Sequence, residues 1–224
     1  MTAENITNDG LFRLNPNARA GMNMLGGRVP VLFVDDVFAD PERVRDVALG
    51  LDYHAPDYPY PGKLAEIGED ASLTAFLRTI LAMVNAEYLP RIPPIADGQR
   101  TITAFGRVLA DFAITDVHPD ELSDVQRRPH IDPVPIFGLV YLNPVERGGT
   151  LFFNPRGNGD GERSGYLVES DEEYELVARI EGNFNRLAVY PGFIPHTGEI
   201  EGDWIMTDER FNAPRLTQRL VFFP

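Results

Sequence analysis

The chain has 224 residues, 43% of them hydrophobic, which suits one packed domain and argues against disorder over most of its length. Its 34 acidic and 20 basic side chains give a net charge of -14, which repels phosphate backbones and disfavours a nucleic-acid partner. Because the sequence contains no cysteine, disulfides and thiolate metal sites are ruled out, and a metal site must use His, Asp or Glu.

The start of the chain shows no targeting signal. The first ten residues are polar and acidic, and they lack the basic start and apolar stretch of a signal peptide. No apolar run approaches the length that spans a membrane. We therefore expect a cytoplasmic protein without a membrane partner.

The first half of the chain predicts a strand and a helix. Residues before about Arg28 form either a weakly structured lead-in or an edge segment, and residues 29–36 predict a strand. A helix is expected next, because Asp40 is a favoured N-cap and Pro41 suits the first helical position. Its apolar face is expected to contain Val44, Val47, Ala48 and Leu51. The stretch that follows, residues 53–63, is rich in Pro and Tyr and predicts a loop.

A second helix and a series of short strands are predicted further on. The helix is expected to begin at an N-cap, Ser72, and to end at the prolines of residues 90–94. Its buried stripe is expected to contain Leu73, Phe76, Leu77, Ile80, Leu81 and Val84. From Arg100 onward, short apolar runs typical of a sandwich or barrel are predicted as strands at 101–109, 111–116, 136–142, 150–154, 175–181, 185–191 and 215–223. Residues 154–171, rich in Gly, Asp and Asn, predict a long loop, either a solvated insertion or a flap over a pocket.

Two histidines and one aspartate are candidate metal ligands. His130 and Asp132 are two residues apart, so on a strand their side chains lie on the same face. This pair alone also fits a surface histidine and a turn aspartate. His196, which follows a predicted strand and a Pro-Gly turn, completes a set of two imidazoles and one carboxylate. Such a set holds a catalytic iron with open coordination positions, and it also fits catalytic zinc.

The last predicted strand distinguishes these two metals. Arg215, Thr217 and Arg219 alternate with apolar residues, so all three lie on one face of that strand. Charged side chains are rarely buried without a partner, and a bound dicarboxylate would supply the counter-charge through a two-bond contact. The alternative is an edge strand whose arginines face water.

Together, these motifs resemble those of the Fe(II)- and 2-oxoglutarate-dependent dioxygenases, especially the prolyl 4-hydroxylase-like branch, from about Phe105 to the C-terminus. The resemblance implies that His130, Asp132 and His196 bind the iron. Residues 138–143 resemble a strand whose tyrosine, here Tyr141, contacts the co-substrate carboxylate. Residues 148–153 are similar to the family's Gly-Gly turn and following strand, and residues 185–190 to the strand before the distal histidine.

The resemblance also implies a co-substrate anchor. Arg215, followed by Thr217, matches the arginine that holds 2-oxoglutarate, and Arg219 falls at the same pocket. The stretch from His196 to Arg215 is longer than is usual in the family. Arg210 and Arg219 therefore remain rivals of Arg215 for the anchor role.

The fold that the resemblance implies is mainly β with N-terminal helices, built on a double-stranded β-helix, a jelly-roll and cupin-like barrel. We expect a single domain over residues 1–224, with helical support and a lead-in strand in 1–99 and the catalytic barrel in 100–224. The implied activity is hydroxylation of an unidentified small-molecule or peptide substrate, using Fe(II), 2-oxoglutarate and O2 and releasing succinate and CO2. The alternatives are a metal- or ligand-binding β-barrel module that has lost turnover, and a zinc hydrolase on the same barrel. Neither the substrate nor the oligomeric state can be read from the sequence.

Overall fold

The protein is built mainly from antiparallel β-strands. The computed structural model describes residues 10–97, 100–157, 163, 165–200 and 215–224. The strands are β1 (Arg19–Leu25), β2 (Val29–Asp35), β3 (Lys63–Glu66), β4 (Ala96–Asp97), β5 (Arg100–Thr101), β6 (Arg107–Thr115), β7 (Ile136–Tyr141), β8 (Thr150–Pro155), β9 (Tyr174–Ile180), β10 (Arg186–Pro191), β11 (His196–Gly198) and β12 (Arg215–Phe223). The α-helices are α1 (Pro41–Leu49) and α2 (Ala71–Met83). The prediction of a mainly β chain with N-terminal helices is confirmed at this level.

The strands form two main sheets. The larger has seven strands in the order β1-β2-β10-β7-β12-β6-β3, and the smaller has three in the order β11-β8-β9. A two-stranded pair, β4-β5, stands apart from both. Within the described residues the two main sheets share no strand pairing, so hydrogen bonds do not close them into a barrel.

Helix α1 begins where it was predicted. Asp40 caps it by accepting a hydrogen bond from the Arg43 backbone N–H at 3.2 Å, and Pro41 occupies the first turn. Val44 and Ala48, one helical turn apart, are fully buried. Val47 is 43% exposed, so its assignment to the buried face was wrong, because this short helix buries only a narrow stripe.

Helix α2 begins two residues earlier than predicted. The N-cap is Asp70, which accepts from the Leu73 backbone N–H at 2.8 Å, and the assignment of the cap to Ser72 was wrong. The Ser72 hydroxyl instead donates to Asp70 and accepts from the Phe12 backbone N–H at 3.1 Å. After Met83 the chain continues as a π-helical turn (Val84–Tyr88) and a 3-10 turn (Leu89–Arg91). Of the predicted stripe, Leu73, Phe76, Ile80 and Val84 are buried, whereas Leu77 and Leu81 are half-buried.

Strand β6 replaces two strands of the prediction. Residues 101–109 and 111–116 were expected to form separate strands, but Arg107–Thr115 is continuous and pairs with the whole of β12. The predicted gap fell at Ala110, which lies within the continuous strand, and Asp111 follows it. Its carboxylate is paired with Arg219 on the neighbouring strand, so the ladder runs through it. Strand β1, at the edge of the seven-stranded sheet, confirms the edge-segment alternative for the residues before Arg28.

The two faces of the seven-stranded sheet pack against different parts of the protein. One face packs against the helices in the main core, to which Val140, Leu216 and Leu220 contribute. The other face packs against Phe152 and Ile180 of the three-stranded sheet. Because side chains alternate along a strand, β12 turns Leu216, Gln218 and Leu220 to the helices. It turns Arg215, Thr217 and Arg219 to the space between the sheets. Within the described part of the chain, none of the helices has the length and apolarity that a membrane span requires.

Candidate metal centre and its cavity

Three predicted ligands meet between the two sheets. His130, Asp132 and His196 each offer one ligand atom, and these atoms all lie within 4.8 Å of one another. The Nε2 atom of His196 lies 3.2 Å from Asp132 Oδ2, and the Nε2 atom of His130 lies 4.0 Å from Asp132 Oδ1. His196 is buried, Asp132 is half-buried and His130 lies at the exposed rim. The folded chain therefore brings together residues from two distant segments as one open-sided cluster.

Backbone contacts hold the two segments together. The His130 N–H donates to the His196 carbonyl at 2.9 Å, and the His196 N–H donates back to the His130 carbonyl at 2.8 Å. The Asp132 N–H donates to the Gly192 carbonyl at 2.8 Å. A Cβ at Gly192 would lie 2.4 Å from the Val134 carbonyl oxygen and 3.1 Å from Asp132 Cβ, so only glycine permits this approach. The Pro-Gly turn before His196 is thus part of the scaffold of Asp132.

The hydrogen bond made by His196 fixes which ring nitrogen faces Asp132. Its Nδ1 lies 2.8 Å from the Ile194 carbonyl oxygen, and a carbonyl only accepts, so Nδ1 carries the proton. In the neutral ring Nε2 is then unprotonated, and its lone pair faces the carboxylate oxygen Oδ2 of Asp132. That oxygen is buried and accepts no hydrogen bond from the described residues. Two acceptors at 3.2 Å repel each other unless a cation lies between them, as a metal ion would.

The charge states of the cluster suit metal ligation. Desolvation and the neighbouring His196 lower the pKa of His130 to about 4, with Asp132 opposing them, so this imidazole is neutral near pH 7. Burial raises the pKa of Asp132, but the two imidazoles and Arg219 lower it further than burial raises it. Neutral imidazoles and an ionised carboxylate are the forms that bind a divalent cation.

The spacing of the cluster is compatible with iron and with zinc. Bonds of about 2.1 Å place adjacent ligand atoms about 3 Å apart, close to the Asp132–His196 separation. The Nε2 atom of His130 lies farther out, 4.0 Å from Asp132 Oδ1, at the exposed rim. The three side chains would contact an ion from one side and leave its cavity side open. An open side is a feature of catalytic rather than structural metal sites.

A cavity of about 490 Å³ adjoins the cluster and contains Arg215 in its wall. The Arg215 side chain is buried, with Nε 2.6 Å from the Gly148 carbonyl oxygen and Nη2 3.0 Å from that of Gly149. No acidic residue in the described ranges forms an ion pair with it. Arg215 is therefore a buried cation, and its remaining N–H donors could bind an anion.

Tyr141 and Thr217, also predicted to bind the co-substrate, pair with each other across strands β7 and β12, and neither is among the described residues that line the cavity. The Tyr141 hydroxyl lies 2.7 Å from Thr150 Oγ1, and burial raises the pKa of Tyr141 to about 12, so the phenol stays protonated. Thr217 is fully buried on the same face of β12 as Arg215. Its hydroxyl has no hydrogen-bond partner among the residues that the structure describes.

Arg219 differs from Arg215 because it already has a carboxylate. Its Nε and Nη2 atoms bind the two oxygens of Asp111 at 2.7 and 2.6 Å. Burial lowers the pKa of Arg219, but the Asp111 carboxylate raises it more, so the charged pair persists. Sequence reasoning missed Asp111, whose position opposite Arg219 depends on a pairing between distant strands. The third rival, Arg210, lies outside the described residues.

Two tyrosines from loops were also missed. Tyr60 lines the cavity beside Arg219, and the Tyr166 hydroxyl donates to the Gly198 carbonyl at 2.8 Å and contacts the Thr197 hydroxyl. Tyr166 belongs to the Gly-rich excursion, so part of that loop reaches the strand that carries His196. The Pro- and Tyr-rich composition of residues 53–63 predicted a loop and carried no signal for a cavity wall.

A solved structure of a prolyl-4-hydroxylase from Pseudomonas putida is similar over 83% of this chain and 83% of that chain, with 17% sequence identity and a TM-score of 0.43. Likeness at this level does not establish a shared activity. Among curated proteins, none matches the sequence. The model of a family of unknown function, DUF6445, matches residues 16–162 and 157–222. Because these matches cover most of the chain, the protein belongs to the DUF6445 family.

Proposed function

We propose that this protein is an Fe(II)- and 2-oxoglutarate-dependent oxygenase that hydroxylates an unidentified substrate and releases succinate and CO2. One observation carries the proposal: a single cavity contains both an open-sided cluster of two histidines and one carboxylate and a buried arginine without an acidic partner in the described residues. A metal-bound dicarboxylate would satisfy both features at once.

His130, Asp132 and His196 would hold the iron. When bound, Fe(II) with 2-oxoglutarate and O2 supplies an oxidative decarboxylation in which one oxygen atom enters succinate and the other enters a substrate C–H bond. The chain's own part is positioning. The hydrogen bond to Ile194 orients His196, and the Gly192 contact orients Asp132, so the open side faces the cavity.

Arg215 would bind the far carboxylate of 2-oxoglutarate. Its guanidinium has five N–H donors, and the carbonyls of Gly148 and Gly149 accept from two of its nitrogens. No described residue accepts from its other donors, which leaves them available to a carboxylate, and the buried setting strengthens that contact. We expect the Thr217 hydroxyl, which has no hydrogen-bond partner among the described residues, and the protonated Tyr141 phenol to complete its hydrogen bonds, although neither residue lines the cavity in this structure.

The proposal extends to the fold, the substrate class and the cellular location of the protein. Two antiparallel sheets with the cluster between them are the arrangement expected of a double-stranded β-helix, with residues 100–224 as the catalytic part and 1–99 as its support. The negative net charge supports a small-molecule or peptide substrate rather than a nucleic acid. The cysteine-free composition is compatible with a cytoplasmic location.

An anaerobic titration tests the proposal. Fe(II) followed by 2-oxoglutarate should produce a visible charge-transfer band, and admission of air should then release succinate and CO2. His130→Ala should lose both the band and succinate release, whereas His54→Ala, at an exposed loop residue, should keep both. A band without succinate release would indicate a binding module that has lost turnover. The absence of iron binding, or hydrolytic activity with zinc alone, would contradict the oxygenase.

A further inference from the structure

The strand register divides the cavity into a polar and an apolar end. Along the inner face of β12, Thr217 pairs with Tyr141, Arg219 pairs with Leu139, and Val221 pairs with Phe137. Arg215 lies beyond Thr217, at the polar end. Alternate residues of a strand are about 7 Å apart, so Arg215 and Val221 lie at opposite ends of the cavity. The wall beside Val221 is therefore built from Leu139, Phe137 and Val134.

The charge at the apolar end is already cancelled. Arg219 is paired with Asp111 through two hydrogen bonds. Its guanidinium also lies over the ring of Tyr60, at 5.4 Å, and 3.4 Å from the Tyr58 hydroxyl. These contacts hold residues 58–61 against the strand as one side of the cavity. Burial raises the pKa of Tyr60, so its phenol is neutral as well.

The charges around the metal also balance once the co-substrate is bound. Fe(II) contributes two positive charges, Asp132 one negative charge and Arg215 one positive charge. The dianion of 2-oxoglutarate cancels the remaining two. No uncompensated charge is then left among the described cavity residues to receive a charged substrate group, and an unpaired ion in such a cavity would be strongly disfavoured.

The cavity has room for a second ligand. Its volume of about 490 Å³ exceeds what a five-carbon dicarboxylate fills, and it lies in the range typical of sites for larger small molecules. We infer that the primary substrate places an uncharged, mainly apolar group at the end formed by Phe137, Leu139 and Val221, beside the open side of the metal cluster. The charge balance in this inference rests on the proposed function, whereas the apolar wall does not.

Three probes of one shape test the inference. Benzyl alcohol, benzoate and benzylammonium share a ring and differ in charge at pH 7. Their binding should be measured by ligand-observed NMR on the full chain with Mn(II) and saturating 2-oxoglutarate. Benzyl alcohol should bind at least about tenfold more tightly than either ion, because neither ion finds a counter-charge. Its signals should be broadened by Mn(II) and not by Zn(II), which places the ring near the cluster.

Variants distinguish the apolar end from other surfaces. Val221→Asp should weaken benzyl alcohol binding about tenfold, since Val221 is half-buried and the new carboxylate would face the cavity. Val47→Asp, on the exposed face of α1, is the matched control and should leave binding unchanged. Val221→Thr, which preserves shape, separates a charge effect from misfolding and should weaken binding less.

The outcomes separate this inference from the proposed function. Equal or tighter binding of benzoate or benzylammonium, no binding of any probe, or no effect of Val221→Asp would overturn the inference. If Mn(II) or 2-oxoglutarate does not bind but the metal-free protein still prefers benzyl alcohol and still depends on Val221, the proposed function fails and the apolar end stands.

Discussion

Gly198 faces the Arg215 guanidinium so closely that a Cβ on the glycine would lie 3.2 Å from Arg215 Cζ. Gly198 ends the short strand that begins with His196, and its carbonyl accepts the hydrogen bond from Tyr166. The three-residue strand His196–Gly198 thus carries a candidate metal ligand, His196, at one end and a wall of the candidate anion site, Gly198, at the other. A change at Gly198 should consequently act on the anion site while leaving the backbone bridge between His196 and His130 in place.

Gly198→Ala should weaken 2-oxoglutarate binding about tenfold with little change in Fe(II) affinity, because the methyl group requires the guanidinium to shift by a few tenths of an ångström and disturbs its forked contact. The charge-transfer titration measures both affinities on one sample. Gly21→Ala is the matched control, since a Cβ at Gly21 meets nothing within 4 Å. Equal loss of iron and 2-oxoglutarate affinity would show that the two sites are not separable in this way.

Arg215→Ala should retain iron and raise the 2-oxoglutarate requirement roughly a hundredfold, as expected when two hydrogen bonds to a charged group are lost. Arg215→Lys should recover only part of the affinity, because an ammonium cannot make the forked contact. Succinate release as a function of 2-oxoglutarate concentration measures both effects. An unchanged requirement in Arg215→Ala would exclude Arg215 as the anchor and would favour a rival arginine.

Asn185 joins the helical part of the protein to the strand that leads towards His196. Its side-chain oxygen accepts from the Phe38 N–H at 2.8 Å, and its amide donates to the Phe38 carbonyl at 2.9 Å, both buried. Asn185→Ala should lower the free energy of unfolding by about 2–3 kcal/mol, because two buried backbone groups lose their partners. Asn17→Ala, at an exposed turn, should change it by less than about 0.5 kcal/mol. Denaturant unfolding of the metal-free protein measures both, and equal effects would contradict the role of Asn185.

Local signals accounted for the parts of the structure that were predicted correctly. The Asp40-Pro41 start of α1 depends on side-chain to backbone bonds within three residues, which the sequence displays directly. The grouping of His130 with Asp132 was expected because two-residue spacing places both side chains on one face of a strand. The location of His196 beside them came from the resemblance and from its place after a strand and a turn.

Distant pairings account for what the sequence could not show. The partner of Asp111 could not be read from the sequence, because Arg219 lies on a strand near the other end of the chain. Tyr60 lines the cavity and Tyr166 contacts Gly198, which also lines it, because of how their loops fold. The composition of a loop does not predict such contacts. The misplaced cap at Ser72 has a different cause, since Asp70 and Ser72 are both favoured caps and only the backbone geometry selects between them.

Asp111→Asn should distinguish the roles of Arg215 and Arg219, the two arginines of β12. The change leaves the mostly buried Arg219 without a counter-charge, so the free energy of unfolding should fall by about 2 kcal/mol, less than for a fully buried pair. Asp36→Asn breaks the exposed pair with Arg19 and should cost less than about 0.5 kcal/mol, which makes it the matched control. The 2-oxoglutarate requirement of Asp111→Asn should stay close to that of the unchanged protein, because Arg219 holds residues 58–61 rather than the co-substrate. A large rise in that requirement would mean that Arg219, positioned by Asp111, binds the co-substrate, and the assignment of Arg215 as the anchor would then be wrong.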